Sequence, residues 1–255
     1  MKSVRPYYSE RGASTAFYDV VTEADKALTG DIDLYAGLVP AGGSVLELGT
    51  GTGRVAFELA SRGFNVVGVD ISPAMLAQAE RKQAALAQDV AERVRFVRGD
   101  MTSLALAREF DAVFATFYTL AHMPPGAAWR NTFRGIVRHL KPEGVVAVHL
   151  PVGEKMAGAP PAPHLPVFRR EVGEGRTLTL FVAEQTMREP VGRMDLTLEY
   201  VLTSATQEQR QKERLTLYRG EPSPFAAEVG LVPEGQPLDL GGVGLVYVFR
   251  KAKPD

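Results

Sequence analysis

A glycine-rich loop that begins at Val45 constrains the fold more than any other part of this sequence. The chain reads VLELGTGTG there, so an apolar run with one acid leads into three glycines at every second position, and a helical pattern starts at Arg54. Glycine lacks a Cβ, so the backbone can adopt positive φ and a flat ligand can lie close against it. The loop amides and the N-terminus of the helix then face that ligand. The pattern predicts a strand, a tight turn and a helix that together bind a nucleotide-like cofactor.

The first 150 residues alternate apolar runs with helical patterns, as expected for a parallel sheet covered by helices on both faces. We predict strands at Ser44–Leu48, Asn65–Asp70, Val94–Val97, Phe110–Thr116 and Val145–Leu150. We predict helices at Gly53–Ser61, Pro73–Ala87 and Ala127–Leu140. The expected fold is therefore α/β, with a doubly wound, mostly parallel, Rossmann-like sheet of seven strands. Ligands bind beyond the carboxyl ends of the strands in such sheets. Four polar residues stand at such ends: Glu47, Asp70, Asp100 and Thr116.

The pattern changes after Pro151. A stretch rich in proline, glycine and alanine is followed by runs that alternate apolar and polar residues, at Thr177–Met187, Met194–Thr203 and Arg214–Arg219. Turn residues separate these runs, which predicts antiparallel hairpins. We expect an N-terminal helical segment at residues 1–40, a cofactor-binding core at residues 41–151 and 221–255, and an antiparallel β insertion after the fifth strand at residues 152–220.

The composition excludes several classes of function. A net charge of −1 provides no basic field for nucleic acid or for an anionic membrane surface. No apolar run approaches the ~18 residues of a membrane span, and the N-terminus lacks the apolar core of a signal peptide. The chain has no cysteine, and its four histidines are scattered without metal-ligand spacing. We expect a cytoplasmic protein that binds no metal.

Five short motifs follow one another in the first part of the chain. They are E-x-G-x-G-x-G from Glu47, V-D-x-S from Val69, G-D-M from Gly99, F-D-A-V from Phe110 and L-K-P-x-G from Leu140. As a set they resemble the class I S-adenosylmethionine-dependent methyltransferases. The resemblance covers about residues 15–150 and, more weakly, residues 226–250. It implies transfer of a methyl group from S-adenosylmethionine to an oxygen or nitrogen nucleophile.

The β insertion also resembles that of bacterial small-molecule methyltransferases, including sugar N-methyltransferases. This likeness of layout implies a small-molecule acceptor and, through the insertion, a homodimer contact.

The resemblance further implies contacts with four parts of the cofactor. These are the methionine end (Glu47, Gly49, Thr50, Gly51), the ribose (Asp70), the adenine (Ile71, Met75, Asp100, Met101) and the sulfonium with its cover (Thr116, Phe117, Tyr18). Asp70 would accept hydrogen bonds from both ribose hydroxyls. Met75 could equally be part of the core, and Tyr18 could equally lie on a surface helix rather than on a lid.

Two histidines follow or end predicted strands and are candidates for chemistry. His122 comes just after the fourth strand, where the methyl group would be delivered, so it is the candidate general base. The alternative is that His122 only holds its loop in place. His149, near the end of the fifth strand, is a weaker candidate. His139 lies near a helix C-terminus, where we expect a solvated side chain that interacts with the helix dipole.

Two other functions remain open at this point. An NAD(P)-dependent oxidoreductase has a similar sheet, and an acid about 20 residues past the first glycine suits any ribose. However, Arg54 occupies the position of the third glycine of a dinucleotide site, and the Glu47 carboxylate would repel a pyrophosphate. The other alternative is a regulatory protein that binds S-adenosylmethionine without catalysis.

Overall fold

The computed structural model describes residues 4–24, 28–156, 158–159, 161–162, 164–242 and 244–252, apart from the side chains of Glu154 and Lys155. Parts of the predicted segments lie outside the described residues. These include the first residues of the N-terminal segment, the last residues of the core and three positions in the stretch after Pro151. The chain divides into two compact units. The small unit comprises Met1–Asp25 and Gly153–Arg219, and the large unit comprises Lys26–Val152 and Gly220–Asp255.

The secondary structure alternates strands and helices up to Pro151 and is dominated by strands after it. The strands are, in order, β1 (Arg5–Pro6), β2 (Ser44–Leu48), β3 (Asn65–Asp70), β4 (Val94–Arg98), β5 (Phe110–Ala115), β6 (Leu140–Pro151), β7 (Phe168–Glu171), β8 (Thr177–Arg188), β9 (Arg193–Thr203), β10 (Glu208–Tyr218), β11 (Leu231–Pro233), β12 (Leu238–Leu240) and β13 (Gly244–Lys251). The α-helices are α1 (Ala13–Ala16), α2 (Tyr18–Thr22), α3 (Asp31–Gly37), α4 (Arg54–Ser61), α5 (Pro73–Gln83), α6 (Gln88–Ala91), α7 (Ala127–Arg138), α8 (Gly153–Met156) and α9 (Ser223–Ala227), and 3₁₀-helices cover Thr119–His122 and Glu189–Val191.

The sheet of the large unit confirms the predicted fold class. Its strand order is β11-β13-β6-β5-β2-β3-β4, and the neighbours from β6 to β4 all pair in parallel. β13 is antiparallel to β6 and also pairs with β11 and β12. The described strands of this sheet therefore number eight rather than the seven predicted. Neither β11 nor β12 was located in the sequence, because each has three residues and is too short to show a periodicity.

Local sequence signals mark both ends of α4 and the start of α5. Gly53 precedes α4 with a φ of 84°, and Gly63 follows it with a φ of 92°, values that favour glycine. Ser72 caps α5 through the backbone N–H of Met75, and Pro73 occupies its first turn. One face of the sheet is buried under α3 and α4, where Tyr35 packs on Phe114 with ring centroids 5.1 Å apart.

Two boundaries in the large unit differ from the prediction for tertiary reasons. Residues Lys141–Gly144, which lie between the predicted helix and the predicted strand at Val145, are part of β6, because Phe110 pairs with Leu140 and the register then shifts to Ala112–Val145. Such a bulge accommodates extra residues within a continuous strand. Helix α5 ends at Gln83 rather than Ala87, because the Gln83 amide turns to donate to the carbonyls of Ala91 and Val94.

The small unit contains the predicted antiparallel insertion. Its strand order is β1-β10-β9-β8-β7, and β7 to β10 pair in antiparallel fashion. Residues 4–24 belong to this unit: β1 pairs in parallel with β10, and Ala13 packs against Leu178 and Tyr200. Helix α3, which lies within the predicted N-terminal segment, belongs to the large unit, where Asp31 forms an ion pair with Arg54. No helix among the described residues combines the length and apolar character needed to cross a membrane.

Candidate functional site

Glu47 lies at the carboxyl end of β2 with both carboxylate oxygens oriented by threonines. The Thr50 hydroxyl donates to Oε2 over 2.6 Å, and the Thr116 hydroxyl donates to Oε1 over 2.9 Å. The side chain is only 1% exposed. Burial raises the pKa of Glu47 from its ordinary value to about 7, despite these two hydrogen bonds. The carboxylate is therefore held in place but is poorly stabilised in its charged form until a cation approaches.

The glycine loop after β2 adopts the backbone conformation that its sequence predicts. Gly49, Gly51 and Gly53 have φ values of 71°, 57° and 84°. The N–H groups of Gly49 and Thr50 both donate to the carbonyl of Val69, which ties the loop to β3. A Cβ on Gly49 would collide with the Thr119 side chain, so the loop and the segment after β5 meet without room for a side chain between them.

Asp70, at the end of β3, holds the loop from the other side. Its Oδ2 accepts from the Gly51 N–H over 2.8 Å, and its Oδ1 accepts from the Ser72 N–H over 2.8 Å. Burial raises the pKa of Asp70, and these backbone hydrogen bonds oppose that shift. Because each carboxylate oxygen has two lone pairs, both oxygens keep acceptor capacity for a ligand.

The residues predicted to surround the adenine differ in their exposure. Ile71 is 65% exposed, which is unusual for a large apolar side chain and suits a ligand-facing position. Met75 is 3% exposed and packs in the core, and its contact with the adenine stays a prediction. Asp100 is exposed, and its Oδ1 accepts from both the N–H and the hydroxyl of Thr102 over 2.8 Å. Met101 is half-buried beside it.

The segment after β5 carries backbone strain. Phe117 and Tyr118 have φ values of 39° and 64°, in the left-handed region that aromatic residues rarely adopt. Their rings stack with centroids 5.1 Å apart. Strain of this kind concentrates at ligand-binding sites and costs about 1–3 kcal/mol per residue. The buried Thr116 precedes the strained pair and connects it to Glu47.

His122 ends the 3₁₀-helix that follows the strained segment. Its side chain is exposed, but the surrounding protein desolvates the charged ring and lowers the pKa of His122 to about 4. The imidazole is therefore neutral at pH 7 and has a nitrogen that can accept a proton.

Tyr18 belongs to the small unit, where its ring contacts that of Tyr8 with centroids 5.7 Å apart. Its role as a cover for the cofactor stays a prediction. Its phenol ring, like that of Tyr8, is half-buried.

Three features of the large unit escaped the sequence analysis. Arg54 forms a bidentate ion pair with the buried Asp31, and no local pattern connects a residue of α4 with one of α3. His139 is fully buried rather than solvated: its Nε2 accepts from the Leu106 N–H over 2.7 Å, and its Nδ1 lies 2.7 Å from the Gly135 carbonyl oxygen. His149 is also fully buried.

Metal binding receives no support from the part of the chain that the structure describes. It contains no group of three or more histidine, aspartate or glutamate side chains placed to hold a metal ion.

Comparison with known proteins gives one family match and many similar folds. Residues 45–144 match the family model described as "Methyltransferase domain". The cypemycin N-terminal methyltransferase of a Streptomyces species is 40% identical over 106 residues, which are 40% of each chain. The chain spans about two fifths of the length of the curated relatives it matches.

The similarity of fold extends over nearly the whole chain. The methyltransferase CcbJ of Streptomyces caelestis has a TM-score of 0.76 and 22% identity, with 97% of this chain and 99% of that chain covered. CalS10 of Micromonospora echinaspora, an amino pentose methyltransferase solved with S-adenosylmethionine bound, has a TM-score of 0.68 and 21% identity, with 92% and 96% covered. At this level of identity the likeness shows the fold.

Proposed function

We propose that the chain is a class I S-adenosylmethionine-dependent methyltransferase that transfers a methyl group from this cofactor to a nitrogen or oxygen of a small molecule. The observation that carries this proposal is the pair of carboxylates on either side of the glycine loop. Glu47 and Asp70 lie within the segment that matches the methyltransferase domain, and each is oriented by hydrogen bonds. A structure solved with S-adenosylmethionine has the same fold.

The residues at the strand ends fit this cofactor in charge and in polarity. The buried Glu47 carboxylate suits the ammonium of the methionine end, whereas a pyrophosphate beside it would be repelled. Asp70 keeps acceptor capacity for two ribose hydroxyls. The exposed Ile71 offers an apolar surface to the adenine, and the exposed Asp100 can accept from the adenine amine. Gly49, Gly51, Met101 and Phe117 would complete the contacts.

The sulfonium methyl of the bound cofactor is the electrophile. The protein then has to place a nucleophile in line with the S–CH₃ bond at about 3–3.5 Å and to exclude water. The strained segment at Phe117 and Tyr118 lies after β5, on the ligand side of the sheet. The neutral His122 would accept the proton that the nucleophile loses.

An amino sugar is the acceptor that we propose to test first. CalS10 is described as an amino pentose methyltransferase, and its fold matches both units of this chain over 92% of the length. We propose that the small unit, with its antiparallel sheet, contributes further contacts to the acceptor and provides a homodimer contact. A regulatory protein without catalysis is the alternative, and release of S-adenosylhomocysteine in the presence of an amino-sugar panel distinguishes the two.

The cofactor is expected to be S-adenosylmethionine and not a nicotinamide dinucleotide. Calorimetry should show binding of S-adenosylhomocysteine, because its ammonium pairs with Glu47, and no binding of NADH or NADPH. The variant Glu47→Gln keeps the shape of the side chain and removes its charge, so it should weaken binding of the homocysteine compound. Tight NADH binding without any response to S-adenosylhomocysteine would overturn the proposal.

The affinity for S-adenosylhomocysteine is expected to rise with pH up to about 7 and then to level off. Burial raises the pKa of Glu47 to about 7 in the unliganded protein, whereas pairing with an ammonium requires the ionised form. Below this pKa, Glu47 must release a proton when the ligand binds. Each unit by which the pH falls below about 7 should therefore weaken the affinity by about tenfold. Calorimetry across this range measures the slope. Glu47→Gln is the control and should show a weaker affinity without this slope; a flat profile for the wild-type protein would contradict the assignment.

A further inference from the structure

His149 is a buried histidine without a hydrogen-bond partner. It lies near the carboxyl end of β6, is fully buried, and neither ring nitrogen has a partner among the described residues. A buried polar group without a partner destabilises the fold, and an apolar side chain of similar size would avoid this loss. The nitrogens of His149 therefore bring no evident benefit to the unliganded fold.

The other buried histidine of the same unit shows the usual arrangement. Both nitrogens of His139 lie 2.7 Å from a backbone partner, at Leu106 and at Gly135. His139 thus has the contacts of a structural histidine, and His149 lacks them. The contrast points to a partner for His149 that is not part of the chain itself.

The surroundings of His149 show which side a ligand could approach. On one side the imidazole lies against Gly244 of β13, where a Cβ would collide with Nε2. On another side the Tyr118 ring meets the imidazole edge-on, with centroids 4.8 Å apart. The strand is part of the sheet, whereas Tyr118 has a strained backbone with a φ of 64°. Tyr118 is therefore the element whose movement would uncover His149.

We propose that His149 binds the methyl acceptor through a hydrogen bond to an uncharged hydroxyl or amine group, once the Tyr118 ring has moved aside. The inference rests on the proposed methyl transfer. His149 lies near the carboxyl end of β6, the strand next to β5, on the ligand side of the sheet. Desolvation and, secondarily, the nearby Arg54 cation lower the pKa of His149 to about 4, so the ring is neutral at pH 7. A neutral imidazole offers one donor and one acceptor, which matches a hydroxyl or a neutral amine.

The first test compares the thermal stability of two matched variants without ligand. His149→Leu removes nitrogens that have no partner, so it should unfold at the wild-type temperature or up to about 2–4 °C above it. His139→Leu leaves the Leu106 N–H and the Gly135 carbonyl without their partner, so it should unfold several degrees lower. If His149→Leu loses as much stability as His139→Leu, the imidazole is a structural element and the proposal fails, whether or not the protein transfers methyl groups.

The second test observes the imidazole directly. The sequence has four histidines, so the ring signals of ¹⁵N-histidine-labelled protein can be assigned by NMR, with His149→Leu identifying the relevant one. Glucosamine and other amino sugars, added to protein saturated with S-adenosylhomocysteine, should shift the His149 signal. His149→Leu should raise the KM for an amino sugar that the wild-type protein methylates by about tenfold or more and leave the affinity for S-adenosylhomocysteine unchanged. A panel in which no compound shifts the His149 signal would overturn the proposal.

Discussion

Replacing His122 by alanine is expected to lower turnover by about 10²–10⁴-fold, the usual contribution of a general base. The affinity for S-adenosylhomocysteine should remain nearly unchanged, because in our proposal the imidazole meets the acceptor and not the adenosine. Release of S-adenosylhomocysteine measures turnover, and calorimetry measures the affinity. His164→Ala is the matched control: His164 is exposed in the small unit and should be replaceable without effect.

The pH profile distinguishes a base from a structural histidine at the same position. An unperturbed imidazole would give a rate that rises near pH ~6.5. The protein around His122 lowers its pKa to about 4, so the rising limb that belongs to His122 should lie near that pH and be absent in the variant. If His122 only held its loop, the variant would instead lose thermal stability and cofactor affinity together. Wild-type turnover in His122→Ala would remove the residue from the mechanism.

The elements of the parallel sheet were predictable because their signals are local. β2 and β3 have the predicted bounds, since each is an apolar run closed by glycine, asparagine or aspartate. The start of β10 could not be predicted, because Glu208–Glu213 is highly polar and shows no alternation. These residues are extended because β9 offers a pairing partner along their whole length. Tertiary context thus overrides the local preference there.

The candidate site, like the fold, could be predicted only in part. Carboxylates at the ends of parallel strands meet at one edge of the sheet, so Glu47 and Asp70 could be grouped from their positions alone. Their surroundings could not. The Thr116 hydroxyl that orients Glu47 comes from the segment after β5, and the burial of Met75 depends on the packing of α5. The lack of a partner for His149 likewise requires knowledge of every neighbour in space.

Replacing Asp70 by alanine is expected to weaken cofactor binding by about 1–3 kcal/mol, or roughly 5–150-fold in Kd, because two ribose hydroxyls lose their acceptor in a partly buried site. The variant should also lose some thermal stability, since the Gly51 and Ser72 N–H groups lose the carboxylate that holds the loop. Affinity must therefore be measured well below the unfolding transition. Ile71→Ala, which removes an exposed apolar contact beside the adenine, should cost less.

Asp111 provides the control that separates loss of stability from loss of ribose binding. It lies at the start of β5, at the other end of the strands, where its carboxylate accepts from the N–H and hydroxyl of Ser44 and pairs with Lys141. Although desolvation opposes the shift, these partners lower the pKa of Asp111 to about 2, which shows how strongly the ionised form is held. Asp111→Ala should therefore lower the unfolding temperature at pH 7 while it leaves the affinity for S-adenosylhomocysteine unchanged. Equal losses of affinity in the Asp70 and Asp111 variants would mean that stability alone explains the effect and that the ribose binds elsewhere.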